Sequence, residues 1–333
     1  MEFKTYVEEL TERMEKDYLP QVLPEGTVTQ KWWNEQEAEL TIGVAGESGR
    51  DVQIDIGLED MYQNRTLLPD GLAVQSSCES IMGWLKDGMM ENMRKLAGKL
   101  QHYETVKKEF FMELRSLSMP GMAEKNYPVM GVKGTDLCLV PFVRSWPSES
   151  MPSSPYAKID TALTESWGVP ADQVLRDAWQ NTIDTSPSRQ ISVLDFLLST
   201  GAIGIDEQQE QGPMLWAVTN DRKWFGASAL LYPGVMDELG KKLGNFYILP
   251  SSCHEVLVLP ELQKMEVKEM EELVQQVNRT QVKQREWLSD RVYHYDAYEK
   301  KLEFALDYEQ RIKKAEMEVS LVPPAKKLGG PAL

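Results

Sequence analysis

The sequence predicts an α+β fold of mostly antiparallel sheets with helices packed on one face. The first observation is a period-two alternation of apolar and polar residues in three successive segments between residues 28 and 58. This pattern is typical of a meander with one buried and one solvent-facing side. The second is the stretch from Pro213 to Asn278, where short apolar runs and helical patterns follow one another in the order ββαββα.

The first part of the chain is predicted to contain a helix, the three-stranded meander and two more helices. The first helix covers residues 2–18, because its apolar residues recur on one helical face. Helical patterns over about residues 70–98 and 106–117 follow the meander. The meander's apolar positions are Val28, Trp32, Ala38, Leu40, Ile42, Val44, Val52, Ile54, Ile56 and Leu58.

The second part is organised around the ββαββα stretch. A continuous apolar run predicts a strand over residues 136–143, before a Pro- and Ser-rich loop over residues 147–155. Within the central stretch, Asn220 and Asp221 favour a turn between two strands. The four strands are predicted at residues 215–219, 224–231, 246–249 and 256–259, and the two helices after Pro233 and around residues 262–277. A last strand is predicted at residues 292–295.

This pattern predicts three regions. Residues 1–150 form an N-terminal α+β subdomain with a helix, the meander and helices. Residues 151–297 form a C-terminal α+β subdomain with the ββαββα core. Residues 298–333 form a charged helical extension, predicted at 299–319, and a disordered tail.

Composition excludes several classes of protein. Of 333 residues, 42% are hydrophobic and 26% charged, as in globular proteins. No apolar run approaches the roughly 20 residues that span a bilayer. The net charge of −16 disfavours nucleic acid as a partner. Three scattered cysteines argue against a disulfide framework and for the cytoplasm. The sequence indicates no cofactor or metal, and it gives no indication of the oligomeric state.

One polar turn lies between two core strands, where a rigid scaffold can present a loop. It consists of Ser251, Ser252, Cys253, His254 and Glu255. A nucleophile among Ser251, Ser252 and Cys253 could use His254 as a base. Neighbours in sequence rarely form such a triad, so backbone bonding by the serines and packing of His254 at a sheet edge are favoured.

A second polar group contains Asp290 and His294. It becomes a candidate site only if it meets His254 in space, because converging histidines can serve as bases or ligands. A metal site of His254, Glu255 and His294 is disfavoured, since adjacent residues of a strand point to opposite faces and no His-Glu-x-x-His spacing occurs.

Several sequence segments resemble those of a bacterial family known as domain of unknown function family 5688, from anaerobic Gram-positive bacteria. They include residues 225–234, reading FGASALLYPG, and residues 246–252, reading FYILPSS. The resemblance covers residues 1–297 and implies a cytoplasmic bacterial protein without an established activity.

These observations favour a non-enzymatic binding or regulatory protein. It is expected to recognise a protein or a small ligand at the Ser251–Glu255 turn. One alternative is a hydrolase that uses Ser252 or Cys253 with His254. Another is an acidic protein that sequesters a partner, whose binding would weaken steeply with salt.

Overall fold

Two antiparallel β-sheets organise the described part of the chain in the computed structural model. The described residues are 1–45, 51–64, 68–119, 126–145, 155–194, 215–262 and 265–320. Helices pack against both sheets, which confirms the predicted α+β class with mostly antiparallel pairing. Within these ranges, no helix combines the length and the apolar composition needed to cross a membrane.

The first sheet has the strand order β1-β2-β3-β7-β6-β4, and β5 pairs with β6 beside that path. Its strands are β1 (Gly26–Asn34), β2 (Glu37–Ala45), β3 (Asp51–Gly57), β4 (Phe110–Ser116), β5 (Met130–Gly131), β6 (Leu137–Arg144) and β7 (Tyr156–Lys158). The predicted meander is therefore confirmed as β1, β2 and β3.

Helices pack against this sheet. They are α1 (Phe3–Arg13), α2 (Glu59–Asn64), α3 (Asp70–Trp84), α4 (Met90–Lys99), α5 (Tyr103–Val106), α6 (Thr161–Trp167) and α7 (Ala171–Thr185). The apolar face of the meander, represented by Leu40, Ile42 and Ile54, is fully buried in one cluster with Leu10 of α1 and Met93 of α4. The opposite, polar face of the meander faces loops of the second sheet.

Two helix predictions in this region need revision. The helix predicted over residues 70–98 is divided near Gly88, whose φ of 108° lies in the left-handed region. The helix predicted over residues 106–117 is wrong, because residues 110–116 form β4. This strand is buried on both faces, and such a strand carries a continuous apolar run that periodicity cannot distinguish from a buried helix.

The second sheet has the strand order β13-β12-β10-β11-β9-β8. Its strands are β8 (Ser188–Ser192), β9 (Trp216–Asn220), β10 (Phe246–Pro250), β11 (Val256–Pro260), β12 (Tyr293–Asp296) and β13 (Lys301–Phe304), and its helices are α8 (Val235–Leu243), α9 (Val267–Thr280) and α10 (Ala305–Ser320). Alternate side chains of β10 pack into two different hydrophobic clusters. Phe246 and Ile248 join the cluster shared with the first sheet, whereas Tyr247 and Leu249 pack in the cluster with Val274 of α9.

The strand predicted at residues 224–231 is wrong, because residues Gly226–Leu231 form a 3₁₀-helix. Gly226 lies so close to β9 that an added Cβ would be 2.3 Å from Thr219 Oγ1 and 2.5 Å from Asn220 N. The small residues at positions 226–229 permit this tight turn. The other predicted strands and helices of the central stretch are confirmed.

Strands pair across both predicted regional boundaries. The first boundary, at residue 150, lies outside the described residues. The strand after it, Tyr156–Lys158, pairs with the first sheet. The helix predicted from residue 299 begins at Ala305, because Lys301–Phe304 pairs with β12 as an edge strand. The predicted disordered tail lies outside the described residues.

Candidate functional site

A pocket of about 530 Å³ lies between the polar face of the first sheet and three loops of the second. We call it the inter-sheet pocket. Its volume falls in the range typical of small-molecule sites. Among its described lining residues are seven basic, five acidic and seven aromatic side chains. They are Lys31, Arg115, Arg144, Lys158, Lys223, Lys283 and Arg285; Glu39, Asp55, Asp60, Glu113 and Glu286; and Trp33, Trp84, Tyr127, Phe142, Tyr156, Trp224 and Phe225.

The meander wall of the pocket is held by hydrogen bonds between neighbouring strands. Glu39 accepts a hydrogen bond of 2.8 Å from Trp33 Nε1. Asp55 accepts bonds of 2.7 Å from the Thr41 hydroxyl and 2.6 Å from the Tyr156 hydroxyl. Burial raises the pKa of Glu39, and the neighbouring Asp55 adds to that effect. These contacts fix the aromatic rings and carboxylates of this wall before any ligand enters.

A buried carboxylate organises the basic centre of the pocket. Glu113 is 1% exposed and forms ion pairs with Arg144 and, at 2.8 Å, with Arg115. Two guanidinium groups around one buried carboxylate leave a net positive charge there. The Arg144 guanidinium also lies 4.1 Å from the centre of the Phe225 ring, a cation–π contact. This contact joins the first sheet to the loop after β9.

Arg285 joins the second sheet's loop to the meander. Its guanidinium lies 3.4 Å from Glu37 and from Glu39, and 3.1 Å from Glu59. Gly57 gives it room, because a Cβ at that position would lie 2.4 Å from Arg285 Nη2. A planar guanidinium can serve several carboxylates at once, which a lysine ammonium does less well. The bridge sets the width of the pocket between the two sheets.

His254 holds the loop that carries Phe225. The backbone N–H of Phe225 donates a 3.0 Å hydrogen bond to His254 Nδ1. Phe225 has a φ of 50° and Lys223 a φ of 54°, conformations that are strained for residues with a side chain. The Asn220 side chain also fixes this loop, since its amide donates to Trp224 O at 2.9 Å. Strained backbone held by specific bonds is common at binding sites.

His254 is neutral near pH 7. Burial lowers its pKa to about 4; Glu113 opposes this shift, whereas Arg115, Arg144 and Arg285 add to it. Because Nδ1 accepts the Phe225 N–H, the single ring hydrogen must lie on Nε2. His254 therefore presents a hydrogen-bond donor at Nε2.

The structure gives different roles to the five residues of the predicted turn. Only Cys253 and His254 line the pocket. The Ser252 Oγ accepts a 3.1 Å bond from the His254 backbone, as expected for a turn serine. Cys253 is 1% exposed, and burial raises its pKa to about 12. Among the described contacts, Ser251, Ser252 and Cys253 make no side-chain hydrogen bond to the His254 ring, so the nucleophile–base pair that a hydrolase needs is not formed here.

Asp290 and His294 do not meet His254. Asp290 accepts a 2.7 Å bond from Asn278 of α9. His294 is fully buried on β12 and stacks on Tyr308 of α10, with ring centres 3.5 Å apart. Neither residue lines the inter-sheet pocket. Across the described ranges, no group of His, Cys, Asp and Glu is arranged to hold a metal ion.

Most pocket residues were not candidates from the sequence. Trp33, Glu39 and Asp55 occupy the polar positions of the meander, which predicted a solvent-facing side and not a second wall. The helical pattern over residues 106–117 includes Arg115, so the sequence does not place Arg115 beside Arg144. One sequence signal could have indicated this site, namely a charged residue within or directly after an apolar run. Such residues are Glu113 in FFMELRS and Arg144 after LCLVPFV. A charge that is buried in this way needs a partner.

Comparison with known proteins gives one match. No curated protein and no solved structure matches the chain. The matching family is described as a family of unknown function, DUF5688, and the match covers residues 2–297. The lining residues of the inter-sheet pocket, from Lys31 to Glu286, all fall within that range. The chain therefore belongs to the DUF5688 family of unknown function.

Proposed function

We propose that this protein is a non-enzymatic binding module that takes a small organic anion into the inter-sheet pocket. The observation that carries the proposal is a local reversal of charge. The chain has 52 acidic and 36 basic residues, yet the pocket lining has five acidic and seven basic ones. A positive pocket in a negative protein attracts small anions while the remaining surface repels large polyanions.

Two rim lysines are available to a ligand. Lys158 and Lys223 are both exposed, and neither forms an ion pair within the described part of the chain. The Lys158 ammonium lies 6.0 Å from the centre of the Tyr156 ring. Aromatic rings beside free ammonium groups suit a ligand that combines a flat apolar part with a negative charge.

The contacts of His254 favour binding over hydrolysis. A general base needs an unprotonated nitrogen that faces the nucleophile. His254 uses its unprotonated Nδ1 to hold the Phe225 backbone. The buried thiol of Cys253 is protonated at neutral pH, because burial raises its pKa.

We also place the protein in the bacterial cytoplasm. The cysteines Cys78, Cys138 and Cys253 are free and buried. Free thiols are typical of reducing compartments. The overall charge of −16 makes nucleic acid a poor partner.

The test is a thermal-shift screen of organic anions, followed by calorimetric titration of those that stabilise the protein. The panel contains aromatic carboxylates, aryl phosphates and nucleotides. The test variant carries Lys158→Glu and Lys223→Glu. The control carries Lys268→Glu and Lys314→Glu, two exposed positions outside the pocket lining, so that net charge is matched.

We expect at least one anion to bind wild type and the control with equal affinity. The pocket variant should bind it at least about tenfold more weakly, because each reversed charge changes the interaction by about 1 kcal/mol or more. The proposal is wrong if no anion binds, or if both double variants lose the same affinity.

A further inference from the structure

Two pocket residues are separated by a distance that one oxygen atom would fill. His254 Nε2 and Glu286 Oε2 lie 4.0 Å apart. This is beyond the range of a direct hydrogen bond. An atom at about 2.8 Å from each would bond to both.

The two sides of this gap have opposite hydrogen-bonding character. Nε2 is a donor, because Nδ1 is used by Phe225. The Glu286 carboxylate is an acceptor, and in the described chain it receives no hydrogen bond. Its nearest cation is Arg285, with Nε 3.8 Å from Oε1.

Backbone contacts hold the two residues next to each other. The Cys253 N–H donates to the Glu286 carbonyl at 2.8 Å, which ties the turn of His254 to the loop of Glu286. The Phe225 bond fixes the rotation of the imidazole ring. The two side chains are 27% and 31% exposed, so both are largely covered by the protein. Since His254 is neutral, the pair is not an ion pair.

A hydroxyl group fits this gap, because it accepts one hydrogen bond and donates another. A carboxylate oxygen could accept from Nε2 but would be repelled by Glu286. An ammonium could donate to Glu286 but could not accept from Nε2. We propose that His254 and Glu286 together recognise a hydroxyl group, and that the ligand of the inter-sheet pocket is a hydroxylated aromatic acid. This inference rests on the proposed function, to which it adds the class of ligand.

The test compares benzoate with its 2-, 3- and 4-hydroxy derivatives by calorimetric titration at pH 7. We expect at least one hydroxybenzoate to bind wild type about tenfold more tightly than benzoate, the effect of one hydrogen bond to a charged group. Two variants should abolish that preference. His254→Asn keeps an acceptor for the Phe225 N–H but loses the Nε2 donor, and Glu286→Ala removes the acceptor.

Glu255→Ala is the matched control, because Glu255 is next to His254 in sequence but does not line the pocket. It should keep the preference. If wild type binds benzoate and all three hydroxybenzoates equally, the hydroxyl inference is wrong and the proposed function stands. If none of the four binds while other anions of the panel do, the ligand class is wrong. If no anion of the panel binds, both fail.

A second measurement does not depend on any variant binding a ligand. The chain has only three histidines, so ¹⁵N NMR of the imidazole rings can resolve each, and the His254→Asn variant assigns the signal. We expect the Nε2–H tautomer of His254 at pH 7, and a downfield shift of that proton when the preferred hydroxybenzoate is added. The Nδ1–H tautomer, or an unchanged Nε2–H signal at saturating ligand, would contradict the inference.

Discussion

Replacing Arg285 with alanine should destabilise the protein by about 3 kcal/mol at pH 7. Removing one partner of a buried ion pair typically costs about 3–5 kcal/mol, because the remaining charges stay buried without compensation. The Arg285 side chain is 14% exposed, and its carboxylate partners are between 7% and 11% exposed. We take the lower end of the range because Lys283 remains 3.9 Å from Glu59.

The pH dependence gives this prediction a distinctive signature. Burial raises the pKa of Glu39, and the nearby Arg285 opposes that rise. Without Arg285, the pKa of Glu39 in the folded state should rise further above that of the unfolded chain. The folded variant then binds protons more readily than the unfolded one, and its stability increases as the pH falls. The deficit relative to wild type should therefore shrink between pH 7 and pH 5.

The assay is urea unfolding at pH 7, 6 and 5. Arg279→Ala is the control, because the Arg279 side chain is exposed and its only side-chain hydrogen bond within the described residues goes to Gln275, at 3.3 Å. Its effect should stay below about 0.5 kcal/mol at every pH. Arg285→Lys should fall between the two, since an ammonium cannot reproduce the guanidinium geometry. Equal losses for Arg285→Ala and Arg279→Ala, or a loss that does not change with pH, would refute the reasoning.

Three further predictions concern the loops around the pocket. Because the pKa of His254 is lowered to about 4, the unfolded chain binds a proton below pH 6.5 that the folded chain takes up only near pH 4. The stability of wild type should therefore decrease more steeply than that of His254→Asn as the pH falls from 6.5 to 4, as measured by urea unfolding. Native protein at pH 8 should not react with a thiol reagent, because burial raises the pKa of Cys253 to about 12, and rapid labelling of Cys253 would contradict this. Gly226→Ala should destabilise the protein by about 1–3 kcal/mol in thermal or urea unfolding, because its Cβ would lie 2.5 Å from Asn220 N. The control Gly98→Ala in α4 places its Cβ where no atom lies within 4 Å, and it should stabilise the protein by up to about 1 kcal/mol. Equal effects of the two substitutions would contradict the packing argument.

The sequence predicts the elements of this fold where one periodicity dominates. The meander is predicted because each strand has one face on a helical layer and one face in a polar setting, which enforces strict alternation. The prediction fails at β4, whose residues Phe110–Ser116 are buried on both faces. It also fails at residues 226–231, where small side chains reflect a tight approach to β9 and not a sheet. In both places tertiary packing, which is absent from local sequence, decides the structure.

The site was predictable only in part, for a related reason. The sequence indicates the turn at Ser251–Glu255 as a candidate site because it joins two core strands, and His254 does line the pocket. Its partners come from positions far along the chain, with Phe225 29 residues away. Glu113 and Arg144 are 31 residues apart and belong to neighbouring strands. A wall built from several strands leaves no contiguous motif, so its chemistry becomes visible only when strand order and register are known.

The polar face of the first sheet links the fold to the proposed function. In a meander with a solvent-facing side, Glu39 and Asp55 would be ordinary surface carboxylates. Here the loops that carry Phe225, His254 and Arg285 cover that face, so the same alternation that forms the core also supplies a preformed polar wall. Closing this wall requires Arg285 among its carboxylates and Arg144 against Phe225. The contacts that hold the two sheets together are therefore the same ones that shape the pocket, and a change that loosens them should alter stability and ligand affinity together.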